Sequence, residues 1–142
     1  MQNLKLIIIE DEPLVGYFIS RISQKLGFDV IDVLDGSEGT LEQILSTKPD
    51  MLIVDIRIAG GKNGIDLATE IYDSLGTPSI FITANSDIES IKKASEIYPY
   101  GYLIKPVDEP DVIAALVTAK NRLKKDSSVL SDDTIYYIDE NI

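Results

Sequence analysis

The sequence predicts an α/β domain of the (βα)5 type, a doubly wound five-stranded parallel sheet with helices on both faces. Three observations point there. Short apolar, β-branched runs alternate with longer amphipathic stretches, the signature of right-handed βαβ units. The alternation is complete by residue 125 of 142, one domain's length. Four of the apolar runs end directly in residues that carry chemistry, as expected where parallel strands share one carboxyl edge.

Leu4–Ile9 reads as the first strand and runs into Glu10-Asp11-Glu12. Pro13 to Leu26 has apolar residues at Leu14, Val15, Phe18, Ile19, Ile22 and Leu26, a helical spacing. Asp11 or Glu12 stands near its cap, Pro13 in its first turn and Gly27 at its stop. Phe28–Val33 is β-prone but broken by Asp29 and Asp32, which predicts an edge strand. Ser37–Ser46 predicts a helix opened by Gly36-Ser37 and closed before Pro49. Met51–Val54 predicts a buried strand ending in Asp55.

The glycine-rich loop Ala59-Gly60-Gly61-Lys62-Asn63-Gly64 precedes a helix from about Ile65 to Leu75. Gly76 and Pro78 lead into the strand Ser79–Ile82, followed by Thr83. Asp87–Ile97 carries Ile88, Ile91, Ala94 and Ile97 on one helical stripe. Tyr100–Ile104 is the fifth strand, followed by Lys105, and Pro110–Lys125 the last helix. The expected domain is therefore 1–125. Asp126-Ser127-Ser128 is expected to break the last helix, leaving 126–142 as a linker or short docking segment. Within it, Thr134–Ile138 is apolar and β-prone, and is expected either to be a free tail or to add to a sheet edge of this chain or a partner. Its 17 residues are too few for an output domain, so the expectation is a single-domain protein.

Composition removes several function classes. Cys and His are both absent, which excludes thiol nucleophiles, Ser-His-Asp catalysis, the common zinc ligand sets and a phosphohistidine on this chain. Chemistry must come from carboxylates, hydroxyls, Lys and backbone amides. A metal, if used, would be a hard, oxygen-bound cation such as Mg2+. The net charge of −11 disfavours direct nucleic-acid binding. No apolar run approaches the ~20 residues that span a membrane, and a cytoplasmic, non-membrane protein is expected. Gly61-Lys62 is followed by Asn63 rather than Ser or Thr, so it is not a nucleotide-binding P-loop.

The shared strand edge gathers Glu10, Asp11, Asp55, Thr83 and Lys105. Taken singly, the acids read as helix or loop caps and Thr83 as an ordinary strand residue. Taken together, carboxylates ~4 Å apart repel by about 4 kcal/mol at an effective dielectric near 20, a penalty that a divalent cation removes. A lysine and a threonine opposite suit an incoming phosphoryl group.

The runs Ile8-Ile9-Glu10-Asp11-Glu12, Ile53-Val54-Asp55-Ile56-Arg57, Ile82-Thr83-Ala84 and Gly101-Tyr102-Leu103-Ile104-Lys105-Pro106 resemble, in order and spacing, the receiver domain of two-component response regulators. The resemblance covers residues 4–125 and implies the flavodoxin-like strand order 2-1-3-4-5. It implies that Asp55 is the phosphoacceptor and that Asp11, Asp55 and the backbone carbonyl of Arg57 ligate Mg2+ (or Mn2+), with Glu10 acting through a water. It gives Thr83 and the Ala84 amide to the phosphoryl oxygens, Lys105 to the phosphoryl charge, and Tyr102 to a conformational switch with Thr83. Arg57 and Asn85 would tune dephosphorylation, and the Lys105–Pro106 bond would be cis. The implied donor is a phosphohistidine on a sensor histidine kinase or histidine phosphotransfer protein. The readout is protein contact with an unknown target, and a homodimer is left open.

Two departures stand in the loop after Asp55: Gly64 falls about one residue later than the family's commonest pattern, and Ala59 or Gly60 replaces its usual proline. Two competing readings remain. One is a Mg2+-dependent phosphatase of the haloacid dehalogenase type, which uses Asp-x-Asp where this chain has Glu10-Asp11-Glu12. The other is a degenerate receiver acting as an unphosphorylated interaction module, against which intact Asp11, Asp55, Thr83 and Lys105 argue.

Overall fold

The computed structural model describes residues 3–84 and 87–131. Its elements are β1 (Leu4–Ile9), α1 (Pro13–Lys25), β2 (Phe28–Leu34), α2 (Thr40–Thr47), β3 (Met51–Asp55), α3 (Gly64–Leu75), β4 (Ser79–Thr83), α4 (Ile88–Ala94), β5 (Gly101–Ile104) and α5 (Glu109–Ser131). Every strand pair is parallel and the order is β2-β1-β3-β4-β5. The expected fold class and strand order are thus both observed.

Alternation along each strand divides the apolar residues between two layers. On one face Leu6, Ile8, Ile53, Ile80 and Ile82 pack against Ile19 and Ile22 of α1 and Val112, Leu116 and Ala119 of α5. On the other, Ile7, Ile9, Leu52, Val54 and Phe81 meet Ile44 of α2, Ile65, Ala68 and Ile71 of α3 and Ala94 of α4. Every residue of β3 and β4 is buried, so the centre of the sheet is fixed from both sides. At about 1.5–3 kcal/mol for each fully buried aliphatic side chain, these layers supply the main drive to fold.

Local signals account for the helix ends. Pro13 opens α1, and Gly27 (φ +91°) lets the chain turn into β2. Asn63 caps α3 by accepting the Ile65 amide at 2.8 Å.

Three expected boundaries are corrected. First, α2 begins at Thr40 rather than Ser37. The Ser37 amide is held by Asp35 at 2.9 Å, and Gly39 sits at φ +94°, so the chain turns before it coils. Second, the helix expected over Asp87–Ile97 is α4 plus a separate 3-10 turn at Ser95–Ile97, ahead of Tyr98 at φ +52° and Pro99. Third, α5 does not stop at Lys125; it continues through Asp126-Ser127-Ser128 to Ser131. A tertiary contact overrides the weak helix propensity there, because the Tyr100 hydroxyl donates to Asp126 while Arg122 lies over the Tyr100 ring at 4.2 Å. The segment Thr134–Ile138 lies outside the described residues.

Candidate phosphoacceptor site

The carboxyl ends of β1, β3 and β5 converge. Glu10 follows β1, Asp55 closes β3, and Lys105 follows β5. The β1–β3 register sets Ile9 beside Val54, so both acidic ends emerge together. In the β3–β4 ladder Asp55 pairs with Ile82, and Thr83 in turn pairs with Ile104, the neighbour of Lys105. The sheet register therefore assembles residues far apart in sequence.

Two glycines make room for this edge. A Cβ on Gly64 would overlap the Asp55 carbonyl oxygen, while the Gly64 amide donates to Ile56 O at 2.7 Å. The loop after Asp55 closes this tightly because position 64 has no side chain. A Cβ on Gly16 would come within 2.8 Å of Val33 Cγ1 on the side of α1 that faces Glu10.

Glu10, Asp11 and Asp55 each present a carboxylate oxygen within 4.8 Å of the others. Glu10 is 3% exposed and Asp55 4%, whereas Asp11 is open to solvent. Lys105 Nζ donates to Asp55 Oδ2 at 2.8 Å and to Glu12 Oε1 at 3.0 Å, and lies 3.4 Å from Glu10 Oε1. The Arg57 amide donates to Asp55 Oδ1 at 3.0 Å. Glu10 Oε2 accepts the Glu12 amide at 3.1 Å, but Glu10 Oε1 is buried and accepts no hydrogen bond.

Electrostatics follow from this geometry. Burial first, and then the Asp55 carboxylate, push the Glu10 pKa up to about 7, against the lowering effect of the Glu12 amide and Lys105. Burial opposes the charge on Lys105, but hydrogen bonds to Asp55 and Glu12 outweigh it and raise its pKa above the ordinary lysine value. The site is thus short of positive charge even with Lys105 in place. The orphaned Glu10 Oε1 and the hard oxygen donors beside it fit a divalent cation.

The other expected residues stand as follows. Thr83 is buried, and its hydroxyl donates to the Ala84 carbonyl at 3.2 Å. Ala84 is exposed. Tyr102 is half-buried beside Phe81, with a ring separation of 6.3 Å, and its hydroxyl donates to Ile91 O at 3.4 Å. Desolvation raises its pKa. The Arg57 side chain is exposed and turned toward Asp87, Nε to Oδ2 3.8 Å. Asn85 lies outside the described residues. The Lys105–Pro106 bond is cis, as the sequence resemblance implied. Glu12 is the residue that sequence reasoning missed: it reads as a cap, yet at the N-cap of α1 its side chain makes no capping bond and goes to Lys105 instead.

Residues 6–117 match the family model of the response regulator receiver domain. The chain belongs to that family. It is 34% identical over 109 residues to the transcriptional regulatory protein CitB of Klebsiella pneumoniae, covering 75% of this chain and 46% of that one. It is 31% identical over 130 residues to the sensory transduction protein LytR of Staphylococcus haemolyticus, covering 89% of this chain and 49% of that one. The signal receiver domain of a modulated diguanylate cyclase from Desulfovibrio desulfuricans superposes with a TM-score of 0.76 at 29% identity, over 88% of this chain and 99% of that one. This receiver spans about half the length of the curated relatives it matches. Receiver domains are in general Mg2+-dependent, are not conventional enzymes, and work with histidine kinases. Among the described residues no helix is long and apolar enough to cross a membrane.

Proposed function

We propose that this receiver accepts a phosphoryl group on Asp55 from a phosphohistidine of a sensor histidine kinase or histidine phosphotransfer protein, and that the acyl phosphate changes its protein contacts. The carrying observation is the buried Asp55 carboxylate, within ligand reach of Glu10 and Asp11 and hydrogen-bonded to Lys105. In the transfer an Asp55 oxygen bonds to phosphorus, the donor's P–N bond breaks, and the imidazole keeps the electron pair and takes a proton.

Glu10, Asp11, Asp55 and the Arg57 carbonyl would hold Mg2+ or Mn2+, which when bound supplies positive charge against the transferring oxygens. Lys105, hydrogen-bonded to Asp55, offers a second positive charge, and three donor positions on its ammonium let it follow the phosphoryl oxygens. Thr83 and the Ala84 amide stand at the end of the neighbouring strand to take the remaining oxygen. Tyr102, paired with Phe81 across the β4–β5 ladder, is the element that a shift of Thr83 would move. We assign Arg57 and Asn85 to control of hydrolysis, and the end of the receiver to α5, which runs past the boundary expected at residue 125. The cytoplasm is the compartment consistent with such a donor.

The test is divalent-ion dependence. With acetyl phosphate, wild type should gain one phosphoryl group in Mg2+ and none after chelation, and Asp11→Ala should lose both labelling and calorimetric Mg2+ binding. Turnover of a generic phosphate ester, with no stable label, would instead point to a phosphatase. Equal labelling with and without the ion would defeat the assignment of the acidic cluster.

A further inference from the structure

Lys105 has three carboxylates around it, and one has no part in the proposed ion site. Glu10 and Asp55 belong to the buried acidic cluster. Glu12 is the N-cap residue just before α1, with a side chain 61% exposed, and still holds Lys105 Nζ at 3.0 Å. This contact is nearly as short as the 2.8 Å bond from Lys105 to Asp55. It spans 93 positions of sequence, so chain proximity does not explain it. Nor does capping, because the Glu12 carboxylate accepts no helix amide. Glu12 lies at the solvent side of the lysine, lining with it an open groove beside Leu14 and Pro106.

We propose that Glu12 is a specificity-determining residue that sets this receiver against small anionic phosphodonors by holding the Lys105 ammonium and placing a negative charge at the mouth of the site. The inference rests on the reading of Asp55 as phosphoacceptor. A free acyl phosphate brings its own negative charge to a protein already at −11. It must both approach the Glu12 carboxylate and draw Lys105 away from it. A protein donor that brings a cation to Glu12 is spared both costs, because Glu12 gains a new partner as Lys105 is released. The pair is solvent-exposed on the Glu12 side, which limits the effect to modest fold-changes that salt can screen.

The experiment measures the initial rate of Asp55 labelling against donor concentration for wild type, Glu12→Gln and Glu12→Asp, in saturating Mg2+. Acetyl phosphate is compared with phosphoramidate, which is less negatively charged at neutral pH. Glu12→Gln should raise the second-order rate with acetyl phosphate about two- to fivefold, and less with phosphoramidate. Glu12→Asp, which keeps the charge, should stay near wild type. Added salt should speed wild type more than Glu12→Gln. An unchanged or lower rate in Glu12→Gln would overturn the proposal, as would Glu12→Asp being as fast as Glu12→Gln, which would make shape rather than charge the cause. If Asp55 is labelled in wild type, those failures leave the phosphoacceptor reading standing. If no variant is labelled, both fall.

Discussion

Lys105 Nζ stands 2.8 Å from Asp55 Oδ2, joining residues 50 positions apart across the edge of a parallel sheet. The sheet order makes the pair possible: β4 separates β3 from β5, and the two parallel strands bring their carboxyl ends, Asp55 closing β3 and Lys105 following β5, to the same edge. An ammonium in this place partly offsets the crowding of Glu10, Asp11 and Asp55 while leaving room for a divalent ion.

Removing that lysine separates two roles. Lys105→Met should lower the rate of Asp55 phosphorylation on the order of a hundredfold, the scale for losing one preorganised transition-state donor. It should not weaken Mg2+ binding, because the acidic cluster becomes more negative. Parallel labelling and calorimetry check this, and a loss of ion affinity equal to the loss of rate would assign Lys105 to ion binding instead.

Glu10 makes stability depend on pH. Its pKa rises from 4.5 in the unfolded chain to about 7 in the fold, so the folded state binds more protons between those values. Without divalent ions, stability should therefore fall as pH rises from about 4.5 to 7 and level off above. The upper bound on this contribution is roughly 3 kcal/mol. Mg2+ should flatten the slope by favouring the ionised carboxylate. Urea midpoints across this range, with and without Mg2+ and in Glu10→Gln, measure it; the Gln variant should lose the Glu10 share of the slope.

Gly64 should not tolerate even one methyl group. Its Cβ would overlap the Asp55 carbonyl oxygen, so Gly64→Ala must push the β3–α3 loop off the strand end. A loss of about 1–3 kcal/mol is expected, with a larger proportional loss of Asp55 labelling. Chemical denaturation and labelling of the refolded variant check both.

The end of α5 should depend on Tyr100. Tyr100→Phe removes the bond to Asp126 but keeps the ring under Arg122. A cost of about 0.5–1.5 kcal/mol is expected. Faster amide exchange beyond Lys125 should accompany it, while the exchange of Leu116 and Ala119 remains slow.

The division between what sequence reveals and what it hides has a physical basis. Uninterrupted apolar runs such as Leu6–Ile9 and Met51–Val54 announce buried parallel strands, and their polar successors announce the site. The end of α5 was hidden because Asp126-Ser127-Ser128 is locally a poor helix, and its partner Tyr100 is 26 positions away. Glu12 was hidden for the same reason, since a carboxylate before a helix looks like a cap until Lys105 is folded against it.

The central claim is that Asp55 is the one phosphoacceptor. Intact mass and peptide mapping after incubation with Mg2+ and acetyl phosphate test it most directly. The account predicts a gain of one phosphoryl group in wild type, mapped to the peptide bearing Asp55, and no gain in Asp55→Asn. Full labelling of Asp55→Asn, or a label mapped to any other residue in wild type, would contradict it.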